Sequence, residues 1–312
     1  MDLVRWEIPV VESNCYESIL ENIGIAYGVR HKLRHLDSFG FECSHDIQSS
    51  SFEAMNIWYN REGENIALKK ICGIKRRIVT PNEKIFSICK SQLNEEICKP
   101  IGVTINGFYL PWTNVYGKRY RGHSFLLTYF GEEKYWGVDS IVTNEIVSLN
   151  QEILHKYATL IMFFDYNPES ITIFSINQII DFLKKLCRDK RENHISQLLL
   201  FREILKEKSK YVSRISEEEM MYSKLMLCLS NIAWSRFVFA QSLEIILNEK
   251  HSANLEKNIQ SIYELNENWK NAKNLMIKYL AYPERIGIEK LCSIMATIIA
   301  KEEMIYTNIE SL

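Results

Sequence analysis

The chain has 312 residues, of which 46% are hydrophobic and 12% aromatic; this is the composition of a packed globular protein with one large domain or two. The 38 basic and 39 acidic side chains nearly balance, so no overall positive charge indicates DNA or RNA binding. The N-terminus lacks the pattern of a secretion signal, and no apolar run reaches the ~20 residues of a membrane span. These features predict a cytoplasmic protein with neither nucleic acid nor membrane as a partner.

Cysteine spacing bears on metal binding and on redox state. The chain has eight cysteines, and no two of them are spaced as C-x-x-C. That spacing is typical of zinc ribbons and dithiol redox centres, so we expect neither a bound metal nor a redox motif. The predicted intracellular location favours free thiols over disulfides.

A cysteine stands at the start of the first predicted helix, after an extended segment at residues 5–12. Asn14 is a favourable cap residue, and Glu17 three positions later completes a capping-box pattern. If Asn14 caps the helix, Cys15 is its first residue, where unpaired N–H groups and the helix dipole favour the thiolate. The alternative is a buried cysteine that packs as a small hydrophobic side chain.

Short elements are predicted from there to about residue 168. Helices are expected near 51–60 and 82–94. Segments rich in β-branched and aromatic residues are predicted as strands; they are 101–110, 123–130, 135–142 and 158–166. Gly131 and the polar residues after it predict a hairpin between the second and third of these strands.

From about Ser175 the apolar residues recur with a period of 3.6, which predicts amphipathic helices. The helical segments are 176–186, 195–208, 220–247, 258–280 and 288–306. Pro283 and Gly287 predict a break between the last two. The fold class is therefore α+β, with an antiparallel sheet in a domain at 1–168 and an all-helical domain at 169–312.

A cysteine nucleophile needs a base and a group that orients the base. His123 opens an apolar strand, and Asp139 stands in the next one, so the hairpin would bring them roughly opposite each other, ~4.5–5.5 Å apart. The carboxylate would then hold the imidazole in one tautomer. Alternatively, Asp139 terminates a strand or caps a turn. The other histidines are predicted to lie on the surface; they are His31, His35, His45, His155, His194 and His251.

Two groups near the helix start are candidate donors to an oxyanion, the Cys15 backbone N–H and the Asn14 side chain. Asn14 cannot easily cap the helix and also donate to an oxyanion from the same rotamer. Its role in such a site is therefore an alternative to its role as a cap.

The order of cysteine, histidine and aspartate, with the cysteine on the first helix, resembles that of papain-like folds. Residues 107–140, GFYLPWTNVYGKRYRGHSFLLTYFGEEKYWGVDS, are more specifically similar to the N-terminal domain of the butirosin-biosynthesis acyltransferase family. They share its aromatic-Leu-Pro-aromatic stretch, its His-led strand and its closing aspartate. Within this group, the related closthioamide-type carrier-protein-dependent amide synthases resemble the chain more closely. The resemblance covers about residues 10–165, and Asn106 stands where an acidic residue is more usual.

This resemblance implies a papain-like catalytic domain that forms amides in antibiotic or other secondary-metabolite biosynthesis. Such enzymes move an acyl or peptidyl chain from a carrier-protein phosphopantetheine thioester to an amine. It further implies Cys15 as the nucleophile, His123 as the base and acid, and Asp139 as the orienting group. No cofactor of its own is expected. The partners would be an acyl or peptidyl carrier protein and a small amine or diamine.

Five residues before the histidine are candidates for binding the substrate or its carrier. Tyr109 and Trp112 either line an acyl channel or belong to the core. Lys118, Arg119 and Arg121 either bind a pantetheine phosphate or an acidic carrier protein, or form a solvated basic loop. A second basic stretch, residues 68–77, has the same two interpretations.

Two other functions stay open at the level of sequence. A cysteine peptidase or amidase would use the same three residues with water as the acceptor. A non-catalytic binding module could retain a protease-like fold, although an intact set of three residues argues against it. The sequence leaves the acyl chain, the amine, the oligomeric state and the specific role of the helical half open.

Overall fold

The computed structural model describes residues 15–45, 55–58, 62–95, 99–208 and 223–312. The chain is α+β, with a six-stranded antiparallel sheet region followed by an all-helical C-terminal part. It divides into two compact units, which we call the sheet unit (1–31 and 68–171) and the helical unit (32–67 and 172–312). The second junction lies close to the predicted boundary at 168, whereas residues 32–67 belong to the helical unit.

The secondary structure follows in chain order. The helices are α1 (Cys15–Ala26), α2 (Glu62–Cys72), α3 (Glu83–Leu93), α4 (Gln151–Tyr157), α5 (Ile176–Lys208), α6 (Lys224–Glu249), α7 (Ala253–Ala281) and α8 (Ile288–Glu310). The strands are β1 (Glu42–His45), β2 (Met55–Trp58), β3 (Ile74–Val79), β4 (Ile101–Asn106), β5 (Gly122–Gly131), β6 (Lys134–Val138), β7 (Ile146–Asn150) and β8 (Ala158–Tyr166). Short 3₁₀ segments occupy His31–Asp37, Gly107–Tyr109 and Pro168–Ser170.

The sheet unit is built on a sheet with the strand order β3-β8-β4-β5-β6-β7. One face carries a buried apolar cluster that includes Phe86 of α3, Val103 of β4 and Phe125 of β5. On the other face α1 packs against β5. Gly102 allows this close approach, because a Cβ at that position would lie 3.3 Å from Cγ2 of Ile19. The missing side chain of Gly102 therefore leaves room for Ile19 of α1 as well as for Met162 of β8, whose Cε would lie 3.0 Å from such a Cβ.

Several predicted elements of the sheet unit are confirmed. β4 covers 101–106 of the strand predicted at 101–110, β5 covers all of 123–130, and β8 coincides with 158–166. A helix lies within 82–94, and β5 and β6 form the predicted hairpin. Its turn residues Glu132 and Glu133 have φ values of 53° and 58°, as in a two-residue turn that matches the twist of the strands.

Other predictions are wrong. Residues 55–58 form β2, paired with β1, in place of the predicted helix, and residues 51–54 and 59–60 lie outside the described residues. The strand predicted at 135–142 ends at Val138. The helices predicted at 176–186 and 195–208 are one continuous helix, α5.

The helical unit packs α5 against α8, and α7 against both α6 and α8. The β1–β2 hairpin belongs to the same unit, with β1 against α5 and β2 against α6. The break between α7 and α8 falls at the predicted Pro283 and Gly287. Within the described ranges, none of the helices combines the length and hydropathy that a membrane span requires.

A buried polar cluster holds the helical unit together around Glu302. The carboxylate accepts hydrogen bonds from Arg236 Nη2 at 2.9 Å and from Trp269 Nε1 at 2.8 Å, and it contacts His194. Tyr306 joins His194 Nδ1 at 3.0 Å. Burial acts to raise the pKa of Glu302, but the charge of Arg236 and the hydrogen bonds from Arg236 and His194 outweigh it and lower that pKa to about 2. Burial lowers the pKa of His194 itself, so Arg236 is the partner that stays charged.

This cluster corrects one expectation from the sequence. His194 is buried, as is His35, although both were predicted to lie on the surface. Polar neighbours in the sequence suggested exposure, while the partners that satisfy the His194 imidazole come from a distant helix. Tertiary contacts decided the burial of both histidines.

We expect Glu302→Ala to destabilise the protein by about 3–5 kcal/mol, because it leaves the buried Arg236 guanidinium without its anionic partner. Chemical denaturation monitored by circular dichroism measures the change. The matched control is Glu303→Ala, at an exposed neighbour on the same helix, which we expect to change the free energy of unfolding by less than about 0.5 kcal/mol. Equal effects of the two substitutions would contradict the role given to Glu302.

Candidate active site

The candidate site lies entirely within the sheet unit and begins at Cys15. This residue is the first of α1, as predicted, and its side chain is half-buried. Backbone N–H groups at a helix start have no intrahelical partner, so the sulfur lies at the positive end of α1. Asn14, the predicted cap and oxyanion donor, lies outside the described residues.

The imidazole and the carboxylate expected to form a pair are in direct contact. His123 is the second residue of β5, and Asp139 directly follows β6. Nε2 of His123 lies 2.6 Å from Oδ2 of Asp139. Because Nε2 is engaged by the carboxylate, Nδ1 is the nitrogen left for the thiol. The Asp139 side chain is 1% exposed, so solvent weakens this interaction little.

The two residues do not meet as directly opposed partners of a ladder. The register of β5 with β6 shifts between Leu127 and Tyr129, and the last pair is Leu126 with Val138. The carboxylate reaches the imidazole because the chain leaves the strand after Val138. The predicted contact is therefore present in the structure, but a turn at the strand end produces it.

Trp112 contributes a second donor to the same carboxylate. Its indole Nε1 donates to Oδ2 of Asp139 at 2.8 Å, and its ring packs edge-to-face on Phe125 with centroids 5.2 Å apart. Trp112 was expected to bind substrate or to belong to the core. Its observed contacts orient the carboxylate that orients His123, and no described contact tests the substrate-binding role.

A hydroxyl and amide cluster ties α1 to the turn that carries Asp139. Ser18 Oγ lies 2.6 Å from Ser140 Oγ, and Asn22 Nδ2 donates to the same Ser140 oxygen at 3.1 Å. All three side chains are buried. Because Ser140 follows Asp139 directly, these bonds link the helix of the thiol to the segment of the carboxylate.

Two opposing influences act on the Cys15 thiol. Burial acts to raise its pKa, but the hydrogen bond and the charge of His123, together with hydrogen bonds from Ser124, outweigh burial and lower the pKa of Cys15. The other described cysteines with a shifted thiol pKa have it raised by burial; they are Cys43, Cys89, Cys187, Cys228 and Cys292. Cys15 is thus set apart from them by its neighbours.

The same contacts act on His123 in the opposite direction. Burial acts to lower the pKa of the imidazole, but the hydrogen bonds and charges of Asp139 and Cys15 raise it to about 9. The lowered thiol pKa and the raised imidazole pKa both act in the direction of a thiolate–imidazolium pair. Because the folded-state pKa of His123 lies above its ordinary value of 6.5, the charged imidazole stabilises the fold fully below pH 6.5 and loses this effect as the pH rises through about 9.

The predicted binding residues lie on the loop that joins β4 to β5. Lys118, Arg119 and Arg121 are exposed on it, just before His123. Tyr109 is partly exposed and stacks on Tyr157 with ring centroids 3.5 Å apart. A hydrogen bond of 2.7 Å from Gly107 N to Arg121 O closes the base of this loop. The loop therefore presents cations and aromatic rings next to the strand that carries the imidazole.

The second basic stretch, 68–77, runs from the end of α2 into β3, which is an edge strand in the described sheet. The guanidinium of Arg76 lies 5.4 Å from the ring centroid of Tyr16, the neighbour of Cys15. Burial lowers the pKa of Arg76 to about 10. Arg77 lies over Phe163 on the opposite face of the sheet. The two arginines at the end of the stretch thus lie on opposite faces of the sheet.

No recognisable sequence motif indicated the polar residues around the site, which are Ser18, Asn22, Ser124 and Ser140. Serine is common, and only packing of α1 on the sheet brings these side chains to the site.

Comparison with known proteins adds no further constraint on the site: no family model matches the chain, and no curated protein matches it significantly.

We expect Asp139→Asn to lower the pKa of His123 from about 9 by more than about one unit, because the anionic partner is lost while burial remains. NMR titration of the imidazole resonances, with His123 assigned through His123→Gln, measures the shift. A His123 pKa that stays near 9 in Asp139→Asn would contradict the role of the carboxylate.

The control is Trp112→Phe, which removes a neutral donor from the same carboxylate oxygen and keeps its negative charge. The carboxylate then becomes a stronger acceptor for His123, so the imidazole pKa should stay at or above its wild-type value. A decrease equal to that in Asp139→Asn would mean that general disruption of the site lowers the pKa.

Proposed function

We propose that the protein is an amide-forming acyltransferase, in which Cys15 accepts an acyl chain from a carrier-protein thioester and passes it to an amine. The observation that carries the proposal is the 2.6 Å contact between His123 and Asp139, and it is supported by the effect of His123 on Cys15, whose thiol pKa it lowers. These groups supply a nucleophile, a base and an orienting carboxylate. The assignment to a papain-like, carrier-dependent class in secondary-metabolite biosynthesis rests on the resemblance of residues 107–140.

The reaction proceeds in two steps with balanced proton transfers. The Cys15 thiolate attacks the thioester carbonyl, the carbon–sulfur bond to pantetheine breaks, and the His123 imidazolium protonates the departing thiolate. This exchange requires little driving force, because the attacking and leaving groups are both thiolates. The amine then attacks the acyl-enzyme, His123 takes its proton, the amide forms, and the Cys15 thiolate is released.

The same residues would also serve a cysteine peptidase or amidase, so the acceptor distinguishes the two functions. A hydrolase passes the acyl group from Cys15 to water, whereas an acyltransferase must keep water from the acyl-enzyme. We favour the transferase because the resemblance lies in the loop and hairpin around His123. The intact set of Cys15, His123 and Asp139 supports an enzyme over a non-catalytic binding module.

The exposed basic loop fits the chemistry expected of the acyl donor. Lys118, Arg119 and Arg121 stand immediately before His123 in the chain. A pantetheine arm carries a phosphodiester, and guanidinium and ammonium groups bind phosphate oxygens through charge-assisted hydrogen bonds. We therefore assign this loop to the carrier-bound donor and leave the amine site open.

We expect intact-protein mass spectrometry to show an acyl adduct after mixing with an acyl-carrier thioester, because the thiolate is the group that exchanges with it. Peptide mapping should place the adduct on Cys15, and added amine should discharge it as amide with little free acid. Cys15→Ala should form no adduct. The control is Cys228→Ala, at a half-buried cysteine whose pKa is raised by burial, which should label like the wild type. An adduct that still forms in Cys15→Ala would contradict the proposal. Release of the acyl group chiefly as free acid would favour the hydrolase.

We expect the double variant Lys118→Glu, Arg121→Glu to raise KM for the carrier-bound donor about tenfold or more with little change in kcat, because it removes attraction to an anion outside the reacting groups. Steady-state kinetics at low and high salt measure this, and the variant should show a weaker salt dependence than the wild type. The control is Lys134→Glu, at an exposed lysine of the β5–β6 hairpin. An equal effect of the control would show that only the net charge matters.

A further inference from the structure

We propose that Ser124 is a further member of this site. Its main-chain N–H and its hydroxyl hold the Cys15 sulfur in its reactive position. Thr104 in turn sets the direction of that hydroxyl. The inference rests on the proposed function, since it assigns to Ser124 a part in activating the same nucleophile. It starts from the register of β5, which the sequence motif around His123 does not reveal.

The register of the sheet leaves the Ser124 N–H available. In an antiparallel pair, backbone groups of alternate residues point to the two neighbouring strands. The hydrogen bond from Gly107 N to Arg121 O shows that the backbone N–H and C=O groups of the odd-numbered residues at this end of β5 point to β4. The backbone N–H of Ser124 therefore points to the side of β6, where pairing ends at Leu126 with Val138. Ser124 lies two residues before Leu126, so its N–H is beyond the end of that ladder.

The first turn of α1 lies next to the end of the β5–β6 ladder. α1 packs against β5, and Ser18 on its first turn is bonded to Ser140, the residue to which an extended ladder would pair Ser124. Hydrogen bonds from the N–H and the hydroxyl of Ser124 are among the causes that lower the pKa of the Cys15 thiol. A buried N–H without a strand partner is thereby satisfied by the reactive atom itself.

The Ser124 hydroxyl is held from its other side by Thr104. These residues are paired across β4 and β5, and their side-chain oxygens lie 2.8 Å apart. Ser124 is buried, and Thr104 is half-buried. A buried serine hydroxyl has one proton and can accept as well. With Thr104 donating to Ser124, the serine proton is directed to the sulfur, and this arrangement stabilises the thiolate over the thiol.

His123 and Ser124 thus approach the sulfur from different directions. His123 lies on the face of β5 that carries Phe125 and Leu127, while Ser124 lies on the face that α1 covers, as the alternation of a strand requires. The imidazole contributes charge and exchanges a proton, whereas the serine contributes two donors whose protons stay in place. We therefore expect Ser124 to affect the thiol and to leave the His123–Asp139 pair unchanged.

The test is the pH dependence of Cys15 alkylation by iodoacetamide, resolved by peptide mapping so that other cysteines do not contribute. Ser124→Ala keeps the N–H and removes the hydroxyl, so the midpoint should move to higher pH. The alkylation rate on the acidic side should fall about threefold to tenfold. Thr104→Val should act in the same direction with a smaller effect. Ser124→Thr, which retains a hydroxyl, should remain close to the wild type. The control is Ser148→Ala, at a half-buried serine on β7, which should leave the midpoint unchanged.

Thermal unfolding of each variant separates loss of the fold from loss of the hydrogen bond, and if Ser124→Ala does not fold, Thr104→Val decides. An unchanged alkylation midpoint in a folded Ser124→Ala or Thr104→Val protein overturns the inference. The acyl-transfer assay is a separate readout. If the midpoint depends on Ser124 but no amide forms, the proposed function fails and the role of Ser124 stands. If amide forms and the alkylation midpoint does not depend on Ser124, the proposed function stands and the role of Ser124 fails.

Discussion

The contact between the partly buried His123 and the buried Asp139 is the interaction on which the chemistry of the sheet unit depends. An imidazole placed in an apolar surrounding without a partner would be neutral, since burial penalises the charged form. The carboxylate reverses this preference and raises the imidazole pKa to about 9. The charged imidazole then lowers the pKa of the Cys15 thiol. The hydrogen bond between His123 and Asp139 therefore affects two proton equilibria, that of the imidazole directly and that of the Cys15 thiol through the imidazole.

The sheet is arranged so that three distant segments meet at one end of β5. The shift of register in the β5–β6 hairpin and the end of β6 at Val138 release Asp139 from the ladder. Gly102 lets α1 approach the sheet closely, and the Ser18–Asn22–Ser140 cluster connects α1 to the turn after Asp139. Irregularities at strand ends, which weaken a sheet locally, here create the space in which side chains converge.

The helical unit uses buried charge in a different way. Glu302 is surrounded by donors from three other helices, including Arg236 and Trp269. A buried ion pair of this kind adds little net stability over an apolar core, but loss of one partner is strongly destabilising. In the sheet unit the buried carboxylate is matched to a group that must gain and lose a proton. In the helical unit it is matched mainly to an arginine that stays charged.

The sequence by itself determined the local features of this protein: the helix that starts at Cys15, the β5–β6 hairpin, the strand 158–166 and the helical second half. These follow from capping, turn chemistry and apolar periodicity, which act over a few residues. It also singled out His123, because a residue that opens a strand can face a cleft, and Asp139, because an acid is unusual in an apolar strand. Only the tertiary structure decided that residues 55–58 are a strand, that His194 is buried, that Trp112 binds the Asp139 carboxylate, and that Ser124 lowers the pKa of the Cys15 thiol. Each of these depends on partners far away in the chain, and no short-range pattern encodes such partners.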